Sequence, residues 1–210
     1  MAEMSMNMAI HGAVRRDLTR FLGALDTFPD GDHARAGQLA TAWANFDDQL
    51  TYHHEGEHEI AWPALEAVGV PTELLATMDA EHDVMARALA DARTAIAKLA
   101  SSASAEDATA ARAAMSHLQD VTVTHLDHEE AELEPVFLAN RDTPEIKEMG
   151  KKFGRVSPAR GGRFFAWLLD GATEDERAAA TRDIPAPVIT IIGGIFGRGY
   201  RRTIAPVWKG

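Results

Sequence analysis

Hydrophobic residues recur along the chain at alternating three- and four-residue steps, the spacing that lines one face of an α-helix. The first such stripe, from about Met4 to Phe28, runs through Met4, Met8, Val14, Leu18, Phe21, Leu25 and Phe28. It stops at the turn Pro29-Asp30-Gly31-Asp32. A second, from about Ala34 to Val68, carries Leu39, Trp43, Phe46, Leu50, Ile60 and Ala64 and is closed by Gly69-Val70-Pro71. The third carries Leu75, Met78, Met85, Leu89, Ile96 and Leu99; the fourth carries Ala111, Met115, Leu118, Val121, Leu133 and Val136. Ser101 to Ser104 reads as the loop between them, with Ser104 and Asp107 as a cap pair. Stripes of this kind on short polar connections predict an all-α protein: an antiparallel up-down four-helix bundle.

After Asn140 the pattern shortens. Thr143-Pro144 and Ser157-Pro158 read as starts of short helices, and Thr173-Glu174-Asp175-Glu176 as a capping box. We therefore expect a bundle over residues 1–140 and, over 141–210, a C-terminal extension of short helices packed on it. Charge divides the chain at the same place. Residues 1–140 hold 8 Lys+Arg against 24 Asp+Glu, whereas 141–210 hold 13 against 8, within a total of −11 for 210 residues. An acidic body argues against nucleic acid as a partner. No basic, apolar leader opens the chain, and Ile184 to Phe196 is too short and too broken by proline and glycine to span a bilayer. The expectation is a cytoplasmic protein without a transmembrane segment. The basic tail, with Arg198, Tyr200, Arg201, Arg202, Trp208 and Lys209 beside Val188, Ile191, Ile192, Ile195 and Phe196, admits contact with a protein or membrane surface. Packing of its apolar face on the bundle, its arginines against the bundle's acids, is the simpler expectation.

The chain has no cysteine, which excludes disulfides, thiolate metal sites and cysteine nucleophiles. Any metal must be held by nitrogen and oxygen. The stripes contain the residues for it. His11 fills the core position between Met8 and Val14; helix two reads Phe46, Leu50, His53, Glu57, Ile60; helix three reads Met78, His82, Met85; helix four reads Leu118, Val121, His125, Glu129. At about 100° per residue, a four-residue step leaves two side chains roughly 40° apart on one face. One inward histidine is ordinarily a core imidazole with satisfied hydrogen bonds. Six inward titratable groups are too costly to bury without a compensating charge, and a metal ion supplies one.

The levels agree. His11 lies 20 residues before Gly31 and His53 lies 22 after it; His82 lies 20 before Ser102 and His125 lies 23 after it. Glu57 precedes Gly69 by 12 and His82 follows it by 13. Equal offsets from a turn place residues side by side in an antiparallel pair. The two halves also repeat: His53 is followed after 10 residues by Pro63, and His125 after 10 by Pro135.

This pattern of His, HisxxxGlu, His, HisxxxGlu over about residues 5–140 resembles the hemerythrin-like, or HHE cation-binding, family. The resemblance implies two non-haem irons, oxo- or hydroxo-bridged, with metal ligands His11, His53, Glu57, His82, His125 and Glu129. Oxygen-carrying members have a further histidine four residues after the third-helix one, where this chain has Ala86. Four histidines, two bridging carboxylates and a bridging oxygen leave about two of twelve positions open, so turnover of peroxide or nitric oxide is expected over oxygen transport. The implied function is binding and turnover of hydrogen peroxide, oxygen or nitric oxide, as a catalase-like or peroxide- or NO-reducing oxidoreductase. A sensing or binding module without turnover is the alternative, and iron storage is a third reading that a single small site serves poorly.

The remaining histidines are expected outside this set. The face of His54 and His58 is rotated about 100° from the stripe, towards the flank, where a solvated pair or a surface zinc site fits. His128 is a candidate for holding a ligand in place or for contacting metal, while His33 and His117 look exposed. Glu55, Glu59, Asp127, Glu130, Glu132 and Glu134 read as a solvated face, some of them orienting ligand imidazoles. Glu55 with His58 spells one ExxH without a partner motif. Tyr52, beside His53, is a candidate redox residue. An apolar lining of Phe46, Leu50, Val14, Met78, Met85, Leu118 and Val121 would admit only small molecules.

Overall fold

The computed structural model describes residues 4–182 and 184–209, and their regular structure is helical, with no strand among them. Ser5 opens α1 (Met6–Asp26) by accepting the Met8 N–H, and Asp32 opens α2 (His33–Gly56) by accepting that of Arg35. Pro71 precedes α4 (Thr72–Ser102), and Ser104 caps α5 (Ala105–Glu132) through the Asp107 N–H. Between α2 and α4 lies the short α3 (Trp62–Ala67). The long helices α1, α2, α4 and α5 form the bundle: α4 packs on α5 and on α2, and α1 on α5. Two connections meet at one end. Gly31, at φ +80°, donates its N–H to the Ala103 carbonyl at 2.8 Å, and the Ala105 N–H reaches the Asp30 carboxylate at 2.8 Å.

Two expected helices are divided, both at a proline. A prolyl nitrogen cannot donate to the carbonyl four residues back. Ahead of Pro63 the chain widens into a π-turn over Glu57–Ala61, with the Trp62 N–H bonded to the Glu57 carbonyl, before α3 resumes. Ahead of Pro135 the helix ends at Leu133, and α6 (Glu134–Asn140) starts afresh. Beyond it run α7 (Pro144–Phe153), α8 (Pro158–Leu168), α9 (Glu174–Arg182), α10 (Ala186–Phe196) and α11 (Arg198–Thr203), then a 3₁₀ turn over Ala205–Lys209. The capping box at α9 forms: Thr173 N–H to Glu176 at 2.6 Å and Glu176 N–H to Thr173 Oγ1 at 3.2 Å.

One apolar core joins the bundle and the tail: Phe21, Trp43 and Phe46 meet edge-on or tilted, and Trp167, Leu168 and Tyr200 are buried against the same cluster. A smaller cluster of Trp62, Leu65, Met78, Leu133 and Ile146 lies under α3, α6 and α7. The polar links between tail and bundle run mostly opposite to expectation. Bundle arginines meet the tail: Arg16 reaches Glu176 at 3.2 Å and the Leu168 carbonyl at 2.9 Å, Arg20 the Asp170 carbonyl at 3.2 Å, and Arg35 the Val207 carbonyl at 2.8 Å. Arg160 on Asp48 is a link of the expected kind, whereas Arg198 and Arg201 donate to carbonyls of α10. The reason is that the tail presents open helix ends and carboxylates to α1. On α10, Ile189 faces inward while Val188, Ile191, Ile195 and Phe196 remain exposed. No described helix is long and apolar enough to cross a membrane.

Candidate metal centre

The six stripe residues converge. His11 Nε2 lies 3.3 Å from Glu129 Oε2, His53 Nε2 3.1 Å from Glu57 Oε1, His82 Nε2 3.4 Å from Glu57 Oε2, and His125 Nε2 3.7 Å from Glu129 Oε2. His82 and His125 face each other through Nε2 at 3.0 Å. The donors fall into two groups that share Glu57: His11, His53, Glu57 and Glu129, and His54, Glu57, His82 and His125, with ligand atoms of each group within 4.8 Å of one another.

His54 is the correction. Its ring stacks on His82 at 4.4 Å and lies 5.5 Å from His53, with its Nε2 shielded from solvent, so it is neither a flank residue nor half of a surface pair. The physical reason is angular. With His53 at 0° and His54 at about 100°, Glu57 falls near 40°, between them. The inward direction of this helix bisects the two imidazoles, so both enter the bundle and the carboxylate one turn on faces each. Sequence reasoning set the inward direction on His53 alone.

The atoms aimed at the centre are unpartnered. His11 Nε2, His53 Nε2, His54 Nε2, both Glu57 oxygens and Glu129 Oε2 are buried without a hydrogen-bond partner. Native interiors rarely leave such groups unsatisfied, and six converging on one spot fit divalent cations held by nitrogen and oxygen. The far nitrogens are tied down. His11 Nδ1 lies 2.8 Å from Glu130, itself held by Arg15 at 2.7 Å. His125 Nδ1 lies 2.8 Å from Glu81, whose second oxygen takes His128 Nδ1 at 2.7 Å. Carboxylates in this position fix the tautomer and ring orientation of a metal-binding imidazole.

Protonation is divided accordingly. Burial pushes His53 down to about 3 and His82 to about 4, with neighbouring imidazoles adding to both. Burial also takes His54 well below its ordinary value and lowers His125 against the pull of Glu81. His11 goes the other way: burial opposes its charge, but the facing carboxylates of Glu129 and Glu130 hold it up at about 9. Glu57 is raised well above the carboxylate range by burial and by Glu129, while Glu129, despite burial, is drawn down to about 2 by His11. Four imidazoles thus stand as neutral donors.

Other candidates sort plainly. His128 contacts Glu81 and belongs to neither donor group. His33, His58 and His117 are exposed, which ends the ExxH reading, and Glu55, Glu59, Asp127 and Glu132 are exposed as expected. Glu134 is buried, not solvated, and burial raises it. Tyr52 is exposed, with the Arg160 guanidinium 3.7 Å over its ring. The expected apolar lining is buried apart from the half-buried Val121. Three participants were missed: Asn7, which donates to Glu129 Oε1 at 2.9 Å, and Asp79 and Glu81, one turn before and just beside His82. The acids flanking His82 were a usable signal; Asn7 had none.

The family model described as the hemerythrin HHE cation binding domain matches residues 6–151, reaching past the resemblance seen in the motifs and into α7. No curated protein and no solved structure gives a significant match.

Proposed function

The chain belongs to the hemerythrin HHE cation binding domain family, and on that premise we propose that it holds two non-haem irons and uses them to bind and reduce small oxidants, hydrogen peroxide first among them. The observation that carries this reading is the set of unpartnered buried donor atoms in two groups that share Glu57. One ion would be held by His11, His53, Glu57 and Glu129, the other by His54, His82, His125 and Glu57.

His54 changes the coordination count. With it the donor set would comprise five histidines in place of the expected four, Glu57 shared by the two groups and Glu129 in one of them. Openness alone therefore no longer favours turnover over reversible oxygen binding. When bound, the irons supply electrons and a Lewis-acidic place for one small ligand. The chain's own residues hold four neutral imidazoles, orient two of them through Glu130 and Glu81, and exclude bulk water with the apolar lining.

Anaerobic loading with ferrous iron, metal analysis and stopped-flow peroxide consumption test the proposal. About two irons per chain and multiple turnovers with a reductant are expected. Bound zinc, or no bound metal, would overturn the iron assignment. A reversible oxygen adduct that survives many cycles without peroxide consumption would overturn turnover and leave a carrier or sensor.

A further inference from the structure

We propose that Trp62 is a one-electron donor to the metal centre, with Asp79 accepting its indole proton. The inference rests on the function proposed above and adds a route by which electrons reach it.

The Trp62 ring lies nearly parallel to the His82 imidazole, 16° between planes and 5.8 Å between centroids. His82 in turn stacks on His54 at 4.4 Å and 26°, so three π systems form a column from the donor cluster towards α3. The Trp62 Nε1–H donates to Asp79 Oδ1 at 2.8 Å. That same oxygen lies 3.9 Å from His82 Nδ1, and the carboxylate is 3.1 Å from Nδ1 of the exposed His58. One acid therefore touches the indole, faces a donor imidazole and opens to solvent.

Burial alone does not require this pairing. Trp43 and Trp208 keep buried Nε1 atoms with no partner, so the fold tolerates an unsatisfied indole. Trp167 also donates to a carboxylate, Asp17 at 2.8 Å, but it packs in the apolar core against Phe164 and stacks on no donor histidine. Tyr52, the other aromatic near a donor in sequence, sits beneath a guanidinium that withdraws electron density from its ring. Trp62 alone joins ring overlap with a donor imidazole to a proton acceptor among the described aromatic residues.

The step is a coupled loss of one electron and one proton. The electron leaves the indole through His82, the Nε1–H bond breaks, and the proton passes to Asp79 Oδ1, leaving a neutral tryptophanyl radical. The oxidant is hydrogen peroxide at the centre. A soluble one-electron donor of the ascorbate class reduces the radical, and the proton returns from Asp79 to Nε1. Two such passes deliver two electrons; with two protons from solvent, matched by those the ascorbate releases, one peroxide becomes two waters.

The test uses the full chain, iron-loaded, mixed with peroxide and freeze-quenched for electron paramagnetic resonance, with peptide mapping of oxidised tryptophan. We expect a tryptophanyl radical that ascorbate removes, absent in Trp62→Phe, and oxidation confined to Trp62 rather than Trp43, Trp167 or Trp208. Asp79→Asn keeps the ring and removes the acceptor; the radical should form about a hundredfold more slowly. Metal-free protein with peroxide should leave Trp62 intact. Should iron bind and peroxide be consumed at the wild-type rate in Trp62→Phe, with no radical in the wild type, the relay is wrong and the proposed function stands. Failure to bind iron would instead sink the proposed function, and the relay with it.

Discussion

The two HisxxxGlu helices are built on one plan and end differently. In both, histidine, glutamate and proline fall at the same spacing, and in both the histidine and glutamate enter the bundle. In α2 the helix widens into a π-turn at Glu57, Gly56 lies under Phe153, and a second histidine follows the first. In α5 the helix is regular to Glu132, Leu126 stands where His54 stands in α2, and His128 stands where Gly56 does. Leu126 is fully buried in the apolar core. Spacing alone therefore sets the inward pair, while the next residue decides whether that helix brings one nitrogen or two. The glutamates diverge with their surroundings. Glu129 has Asn7 and His11 to stabilise its charge, whereas Glu57 has no hydrogen-bond partner for either oxygen and favours its neutral form.

The sharpest way to break the comparison is Glu57→Gln. Because Glu57 belongs to both donor groups, metal content should fall from about two ions per chain to almost none. The metal-free variant should melt close to metal-free wild type, since burial already favours the neutral form of Glu57 that glutamine mimics. Next is His54→Leu, which makes α2 a copy of α5. Metal analysis should find about one ion lost, and the His11 group retained. His128→Ala probes the opposite asymmetry through Glu81 and should weaken metal affinity about tenfold by equilibrium competition with a chelator.

The metal-free protein should also show a stability maximum in pH. The neutral forms of His53 and His82, favoured by burial, contribute stability above about 6.5 that is lost as pH falls towards 4 and then 3. His11, raised to about 9, contributes in the other sense: its stability is complete below about 6.5 and lost as pH rises through 9. Melting temperatures of metal-free protein across pH should therefore peak near 6.5, and bound metal should flatten the profile. A monotonic rise would contradict the His11 pairing. The smallest effect is expected from Gly56→Ala. A Cβ there would lie 2.7 Å from the flexible edge of Phe153, so the ring must shift, and a loss of about 2–4 °C in calorimetry is expected.

Much of this was legible because it depends on period. The four stripes, the capping residues Ser104 and Thr173, and the convergence of His11, His53, Glu57, His82, His125 and Glu129 all follow from spacing along helices. What escaped depends on direction or on contacts between distant segments. The inward bisector of His53 and His54 is a property of how α2 sits against α4, not of its own stripe. Glu81 and Asp79 matter because of where α4 meets α5 and α3. The stripes were read straight through Pro63 and Pro135, because the hydrophobic period continues across both, whereas the helices divide there into a π-turn in one case and a fresh helix start in the other. The tail's arginines were easy to count and hard to pair, because their partners include backbone carbonyls that no composition reveals.

The way α1 is held has a consequence for how the fold closes. Its inner face packs on α5, 86 to 122 residues away where side chains bond, and its outer face is fastened by Trp167 on Asp17, by Arg16 on the Leu168 carbonyl and by Arg20 on the Asp170 carbonyl. Helix α1 therefore completes its packing only when segments far along the chain are in place. Contacts of such long sequence separation close slowly. Until then the group of His11, His53, Glu57 and Glu129 is incomplete, because α1 supplies its His11.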